Sequence, residues 1–259
     1  MIIYFSGTGN TRHCARILSE RLGDRLIEMT GSMLTTPSST RIDTDDERII
    51  WMFPVYSWGI PPIVEAFMTR CTINAPEHSV HHLVMTCGDD AGMTDSQWRK
   101  VMRACGYTDR LAFTVIMPNT YVLMKGFDVD APEVEQAKID ACVPRINEIA
   151  ERISVDASKV ESDVTSGRFP RIKSKVIYPW FIRHCMPVSP FHYTEDCTGC
   201  GLCVRSCPMG RITISKHGHP HWTDTCAMCL RCYHVCPHHA VEYVKSNTAG
   251  KGQYRRFLK

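Results

Sequence analysis

Two stretches, 197-CTGCGLCVRSCP-208 and 226-CAMCLRCYHVCP-237, decide how this chain is read. Each runs C-x2-C-x2-C-x3-C-P: Cys197, Cys200, Cys203 and Cys207 before Pro208, then Cys226, Cys229, Cys232 and Cys236 before Pro237. Three thiolates separated by two residues wrap one cube of iron and sulfide, whereas the fourth lies too far round the turn and reaches the neighbouring cube. The expected ligand sets are therefore crossed. Cys197, Cys200, Cys203 and Cys236 hold one [4Fe-4S] cluster, and Cys226, Cys229, Cys232 and Cys207 hold the other. Structural zinc also uses C-x2-C pairs, but it takes four ligands and gives the third evenly spaced cysteine of each run no role. A c-type haem needs His directly after C-x2-C, and Val204 and Tyr233 stand there instead.

The two runs are offset by 29 residues, and the correspondence extends past the ligands. Tyr193 matches Trp222, Ile212 matches Val241 and Ile214 matches Tyr243. This predicts two half-domains, each a strand, a cluster loop and a second strand, that bury their apolar faces against each other. Over residues 187–245 the chain resembles the bacterial-type two-cluster ferredoxins.

That part is about a quarter of a chain of 259 residues, 44% of them hydrophobic, which allows one or two domains with an ordinary core. Fourteen cysteines would suggest disulfides in a secreted protein, but eight are committed as thiolates and no signal peptide precedes Met1. No apolar run nears the roughly 20 residues of a membrane span. A reducing, oxygen-poor cytoplasm is expected. The net charge of +3 divides into −5 over residues 1–155, +3 over 156–186, +1 over 187–245 and +4 over the tail 246–259. Neither basic segment carries a nucleic-acid reading motif, so solvated faces are expected and nucleic acid is not.

At the other end, residues 2–5 form an apolar run that stops at Ser6-Gly7-Thr8-Gly9-Asn10-Thr11, after which Cys14, Ala15, Ile17, Leu18 and Leu22 recur at helical spacing. Strand, polar loop, helix is the order. Hydroxyl and amide side chains beside the free N–H groups of a helix start make a cradle for a phosphate dianion. The Walker lysine is absent, and Arg12 stands where a dinucleotide fingerprint wants glycine, although Glu28 offers an acidic ribose contact. The Ser6 to Thr11 string at the end of the first strand closely resembles the FMN phosphate loop of flavodoxins.

Strands are expected at 26–29, 49–54, 82–87 and 111–117, with helices at 61–71, 94–105 and 132–153, the last kinked near Pro144. This is a flavodoxin-like, doubly wound five-stranded parallel α/β sheet over residues 1–155, with the ligand beyond the carboxyl ends of the strands. Pro54-Val55-Tyr56-Ser57-Trp58-Gly59 then places two aromatics where a flat flavin ring stacks. Their other reading is as a cover over the core. Cys87-Gly88-Asp89-Asp90 resembles the third flavin loop of that family without its usual aromatic, which leaves one flavin face open. Asn119 and Tyr121 are substrate-side residues or loop anchors, and Asp89 and Asp90 are the nearest acid or base groups, with solvation their other role.

Residues 156–186 read as a polar, aperiodic linker followed by an apolar segment around 176–182 that is expected to pack between the domains, a membrane or partner contact being its other reading. The seven histidines from His192 to His239 are expected at the surface, and the tail from 246 is expected to be flexible. The remaining cysteines, Cys14, Cys71, Cys87, Cys105, Cys142 and Cys185, read as small buried hydrophobes.

As a whole the chain resembles a family of prokaryotic fusions in which a flavodoxin-like domain precedes a two-cluster ferredoxin domain. The resemblance implies electron transfer between the clusters and FMN. The residues imply the same, because clusters pass single electrons and a flavin collects two for delivery as hydride. An iron–sulfur flavoprotein oxidoreductase with a redox partner protein or a small-molecule acceptor is the first reading. A carrier that docks to larger enzymes is the second, and clusters acting as structural staples beside an empty flavodoxin-like fold are the third.

Overall fold

In the computed structural model, which describes residues 1–155, 158–188, 190–223, 225–243 and 248–258, strand β1 (Ile2–Tyr4) lies between β2 (Leu26–Glu28) and β3 (Arg48–Pro54). Strands β4 (Val80–Cys87), β5 (Thr108–Ile116) and β6 (Glu161–Asp163) extend this parallel sheet to the order β2-β1-β3-β4-β5-β6. The first five have the doubly wound order of flavodoxin-like sheets, with the switch point between β1 and β3.

Successive side chains on a strand face opposite ways, and this alternation sorts two cores. Ile3, Phe5, Trp51, Phe53, Leu83 and Met85 pack with α2 (Pro62–Arg70) and α3 (Thr94–Ala104). Ile2, Tyr4, Ile50, Met52, Val84 and Phe113 pack with α1 (Asn10–Leu22) and α4 (Pro132–Val155). Because both faces are covered, the strands read as continuous apolar runs.

The sixth strand departs from the five expected. It falls in the stretch read as linker, because a three-residue edge strand with exposed and half-exposed side chains has no apolar pattern. Charge holds it instead: Arg145 and Arg152 of α4 reach Asp163 at 3.0 and 2.7 Å. Residues 41–43 and 72–74 add a small parallel side sheet.

The cysteine-rich part has the predicted internal repeat. Strands β7 (Phe191–Tyr193) and β8 (Ile212–Ile214) flank the first cysteine run, and β9 (Pro220–Trp222) and β10 (Val241–Tyr243) flank the second. β7 pairs with β10 and β8 with β9, both antiparallel, so each small sheet takes one strand from each half. Its core also takes in Val122 and Leu123 from the loop after β5, while Met209 and Ala227 join the core under α2 and α3. The two parts thus share apolar interior.

Two expectations about the connecting segments change. The linker becomes a helical run, Pro170–Ile172, Lys173–Ile177 and Tyr178–His184, whose middle is wound as a π-helix. Only Ser174 and Phe181 on it are buried, and Val176 and Trp180 are exposed, so one side of this apolar segment packs and the other does not. The tail, where described, is packed: Tyr254 is buried, the Phe257 ring stacks on His13 at 4.0 Å, and Lys251 Nζ donates to the carbonyls of Val122 and Met124. The expected boundaries at 156 and 245–246, and tail residues 246, 247 and 259, lie outside the described residues.

Candidate functional site

Loops at the carboxyl ends of β1, β3, β4 and β5 surround one cavity of about 360 Å³. That volume is within the range of small-molecule and cofactor sites. Ser6, Thr8, Asn10, Thr11, Pro54, Val55, Tyr56, Ser57, Trp58, Cys87, Gly88 and Asp89 all line it, so the three loops singled out in the sequence do converge. Gly9 and Gly59 do not. Gly9 has φ +99° and faces the Phe257 carbonyl, and Gly59 faces the ring of Tyr178.

The 6–11 loop is a fit for an anion through its backbone. Among the described residues the N–H groups of residues 7–11 take no hydrogen-bond partner, and they run into the first turn of the 13-residue helix α1. Such a row of donors with the positive end of a helix dipole is what a phosphate group binds. The side chains contribute less than the sequence suggests. Asn10 Nδ2 donates to the Pro118 carbonyl at 2.9 Å and Asn10 Oδ1 accepts from Tyr254 at 2.7 Å, while the Thr11 and Thr86 hydroxyls bond each other at 2.8 Å. Asn10 and Thr11 are structural partners here; Thr8, 3.3 Å from the Thr120 hydroxyl, is held less closely.

The 54–59 loop is a tight turn in which Tyr56 and Gly59 exchange two backbone hydrogen bonds, of 2.9 and 3.0 Å. Ser57 and Trp58 have φ of +44° and +66°. Left-handed backbone at non-glycine residues costs on the order of 1–2 kcal/mol each. Neighbours hold it in place. Ser174 Oγ donates to the Trp58 carbonyl at 2.8 Å, Tyr178 donates to the Ile60 carbonyl at 2.5 Å, and Lys173 Nζ lies 4.9 Å from the centre of the Trp58 ring. The linker helix therefore fixes the aromatic loop.

Asp90 serves that same helix, pairing with Lys173 at 2.6 Å with its side chain 12% exposed, so it is neither solvated nor placed as a free base. Asp89 is 80% exposed. Asn119 is a loop anchor: its N–H and side-chain amide both donate to Asp130 at 3.0 Å. Tyr121 lines the cavity and meets Phe127 and Phe181 edge to face. Burial first, then Asp90 and Asp89, pushes the Cys87 thiol up to about 12, which leaves it an unreactive wall residue.

Cysteines of the two runs are electrostatic neighbours of one another. Burial, then Cys236, Cys197 and Cys200, pushes the Cys203 thiol up to about 11. Burial, then chiefly Cys229 and more weakly Cys207, pushes Cys226 up to about 12, and burial followed by Cys226, Cys229 and Cys207 raises Cys232. No three His, Cys, Asp or Glu among the described residues close on a point suited to a single metal ion. A cube of four irons takes its thiolates at separate corners, so the absence of a single-ion point is compatible with a cluster.

The second cysteine run lies against the sheet. Met228, Cys229 and Leu230 line the same cavity as the 6–11 and 54–59 loops. A Cβ on Gly7 would stand 2.8 Å from Cys229 Cβ, so only glycine admits this approach. Burial, then Cys229 and Cys226, holds the Tyr56 phenol well above its usual range, and Tyr56 and Cys229 line the same cavity. Arg231 donates to the carbonyls of Gly7 and Ser6 at 2.5 and 2.7 Å. His234, expected at the surface, is fully buried: its Nε2 meets the Thr120 carbonyl at 2.8 Å and its Nδ1 accepts from the Tyr254 N–H at 3.1 Å. Sequence reasoning missed Arg231, His234 and the tail, because their partners lie from about twenty to more than two hundred residues away.

Residues 196–240 match the family described as a 4Fe-4S dicluster domain. No curated protein matches the chain. Similar solved structures include a protein described as flavone reductase (13% identity, TM-score 0.38), which spans 86% of this chain and 81% of that one. The Streptococcus pneumonia TIGR4 flavodoxin is 16% identical with TM-score 0.37, over 60% of this chain and 97% of its own. A short-chain flavodoxin associated with a non-canonical PDU bacterial microcompartment is 14% identical with TM-score 0.37, over 60% and 96%. The chain joins a flavodoxin-like sheet to a 4Fe-4S domain of ferredoxin type, and its role is redox electron transfer.

Proposed function

We propose that this protein is an iron–sulfur flavoprotein oxidoreductase in which two [4Fe-4S] clusters and an FMN exchange electrons within one chain. The observation that carries this reading is Cys229: it lines the cavity that the 6–11 and 54–59 loops form, against Gly7. When bound, the clusters supply single-electron transfer and the flavin pairs two electrons for delivery as hydride.

The chain's own residues have separable tasks in this reading. Cys207, Cys226, Cys229 and Cys232 hold the cluster nearer the cavity, and Cys197, Cys200, Cys203 and Cys236 hold the outer one, where exposed Cys200 offers an outside donor a point of approach. The N–H groups of residues 7–11 bind the FMN phosphate, Tyr56 and Trp58 orient the ring, and Tyr121, Phe127 and Phe181 leave an apolar space beside it for an acceptor. Arg231 holds the second cysteine run on the 6–11 loop.

The test is retention of cofactors. Protein reconstituted anaerobically with iron, sulfide and FMN, then desalted, is expected to keep about eight irons and one FMN, in preference to riboflavin or FAD. Loss of flavin on desalting, with the clusters intact, would sink the flavoprotein reading and leave a carrier.

A further inference from the structure

Among the described residues, one face of the linker helix is more exposed than covered. Phe169, Ile172, Val176 and Trp180, at steps of three and four residues, are 65%, 53%, 63% and 53% exposed. The opposite side is fixed by buried Phe181, by Ser174 and by Tyr178. A helix stripe of this kind is ordinarily turned to the core. Here it forms a ridge.

Charge says what the ridge suits. Arg168, Arg171, Lys175 and Arg183 on the same segment are exposed, and no Asp or Glu stands between Asp163 and Glu195. The Arg168 guanidinium lies 5.5 Å from the Phe169 ring, so cation and aromatic sit together at the start of the helix. A convex apolar crest with cationic flanks asks for a counterpart that yields to the crest and is negative where the flanks rest. A protein partner would need a matching groove; a lipid surface needs none. Long apolar side chains with Trp at the headgroup level and Lys or Arg toward anionic headgroups are how helices lie in the plane of a membrane. None of the helices among the described residues is long and apolar enough to cross one.

We propose that this helix docks the protein on an anionic lipid bilayer, with Phe169, Ile172, Val176 and Trp180 in the headgroup and acyl boundary and Arg168, Arg171, Lys175 and Arg183 on the lipid phosphates. Ile177 and Trp180 also line the cavity, together with Phe127, which is 48% exposed. Docking in this way brings the mouth of the cavity to the bilayer.

The full-length protein is sedimented with vesicles of phosphatidylcholine alone and of phosphatidylcholine with phosphatidylglycerol, at low and high salt. Binding is expected on the anionic vesicles only and is expected to fall with salt. Arg171→Glu with Lys175→Glu is expected to weaken it at least about tenfold. Ile172→Asp with Val176→Asp should do the same, and as neither residue lines the cavity the fold and FMN binding should stay unchanged. Failure to bind anionic vesicles, or binding by either double variant as tight as that of the parent protein, overturns the proposal. So does a dimer in sedimentation that Ile172→Asp splits, since the ridge would then be covered by a second copy of the chain.

Discussion

Arg231, inside the second C-x2-C-x2-C run, donates to the carbonyl of Gly7 at 2.5 Å across 224 residues of sequence. Its backbone N–H and its charge both act on Cys229, opposing the rise that burial causes in that thiol. One side chain thus ties the loop expected to hold phosphate to the loop expected to hold a cluster.

Arg231→Met removes these bonds while keeping most of the side chain's bulk. A hydrogen bond to a charged group contributes about 1.5–3 kcal/mol, so FMN affinity and cluster-to-flavin transfer are both expected to drop by about tenfold to a hundredfold. Iron content should not change. FMN titration and iron analysis of the same sample check this, and unchanged affinity would mean the loops hold each other without the arginine.

Crossed ligation makes an unusual prediction for Cys207. Cys207→Ser is expected to damage the cluster of the second run although it belongs to the first, and Cys236→Ser the converse. Each variant should retain about half the iron of the full complement, and electron paramagnetic resonance should show a different cluster surviving in each. If both variants lose the cluster of their own run, the grouping is wrong.

The 6–11 loop separates backbone from side-chain binding. Thr8→Ala is expected to weaken FMN by about tenfold to a hundredfold, one hydrogen bond to a charged phosphate, and to leave riboflavin unchanged. Asn10→Ala also frees Tyr254 and the Pro118 carbonyl, so it should loosen the tail and raise its protease sensitivity. Limited proteolysis beside FMN titration distinguishes the two; an intact tail in Asn10→Ala would contradict the packing.

Most of the sheet was legible because its strands are apolar runs broken by polar loops, and the cysteine runs were legible because ligand spacing is local. The 161–163 strand was not, since arginines rather than an apolar pattern hold it. Nor was Asn10 as a structural residue, because Tyr254 is 244 residues away. The apolar segment around 176–182 is expected from sequence to pack between the domains, and sequence alone does not tell which side of such a segment finds a neighbour.

Acid should destabilise the sheet. Burial is the first cause lowering His81 to about 4 and His82 to about 3; Trp51 donates to His81 Nδ1 at 2.9 Å, and His82 Nε2 has no partner among the described residues. An unfolded histidine titrates near 6.5, so below that pH the unfolded chain binds the extra protons and stability falls as pH drops towards about 4. Denaturant unfolding at pH 7 and pH 4.5 should differ by on the order of 3 kcal/mol or more. His82→Leu should reduce the difference, and an unaltered difference would assign the acid sensitivity elsewhere.

The central claim is that electrons move between clusters and flavin inside one chain. Rapid mixing of the anaerobic, reconstituted protein with dithionite should show the clusters bleach first and the flavin follow at a rate independent of protein concentration. A flavin rate that rises in proportion to concentration would mean that electrons pass between molecules, and the contact between Gly7 and Cys229 would then have no part in the transfer.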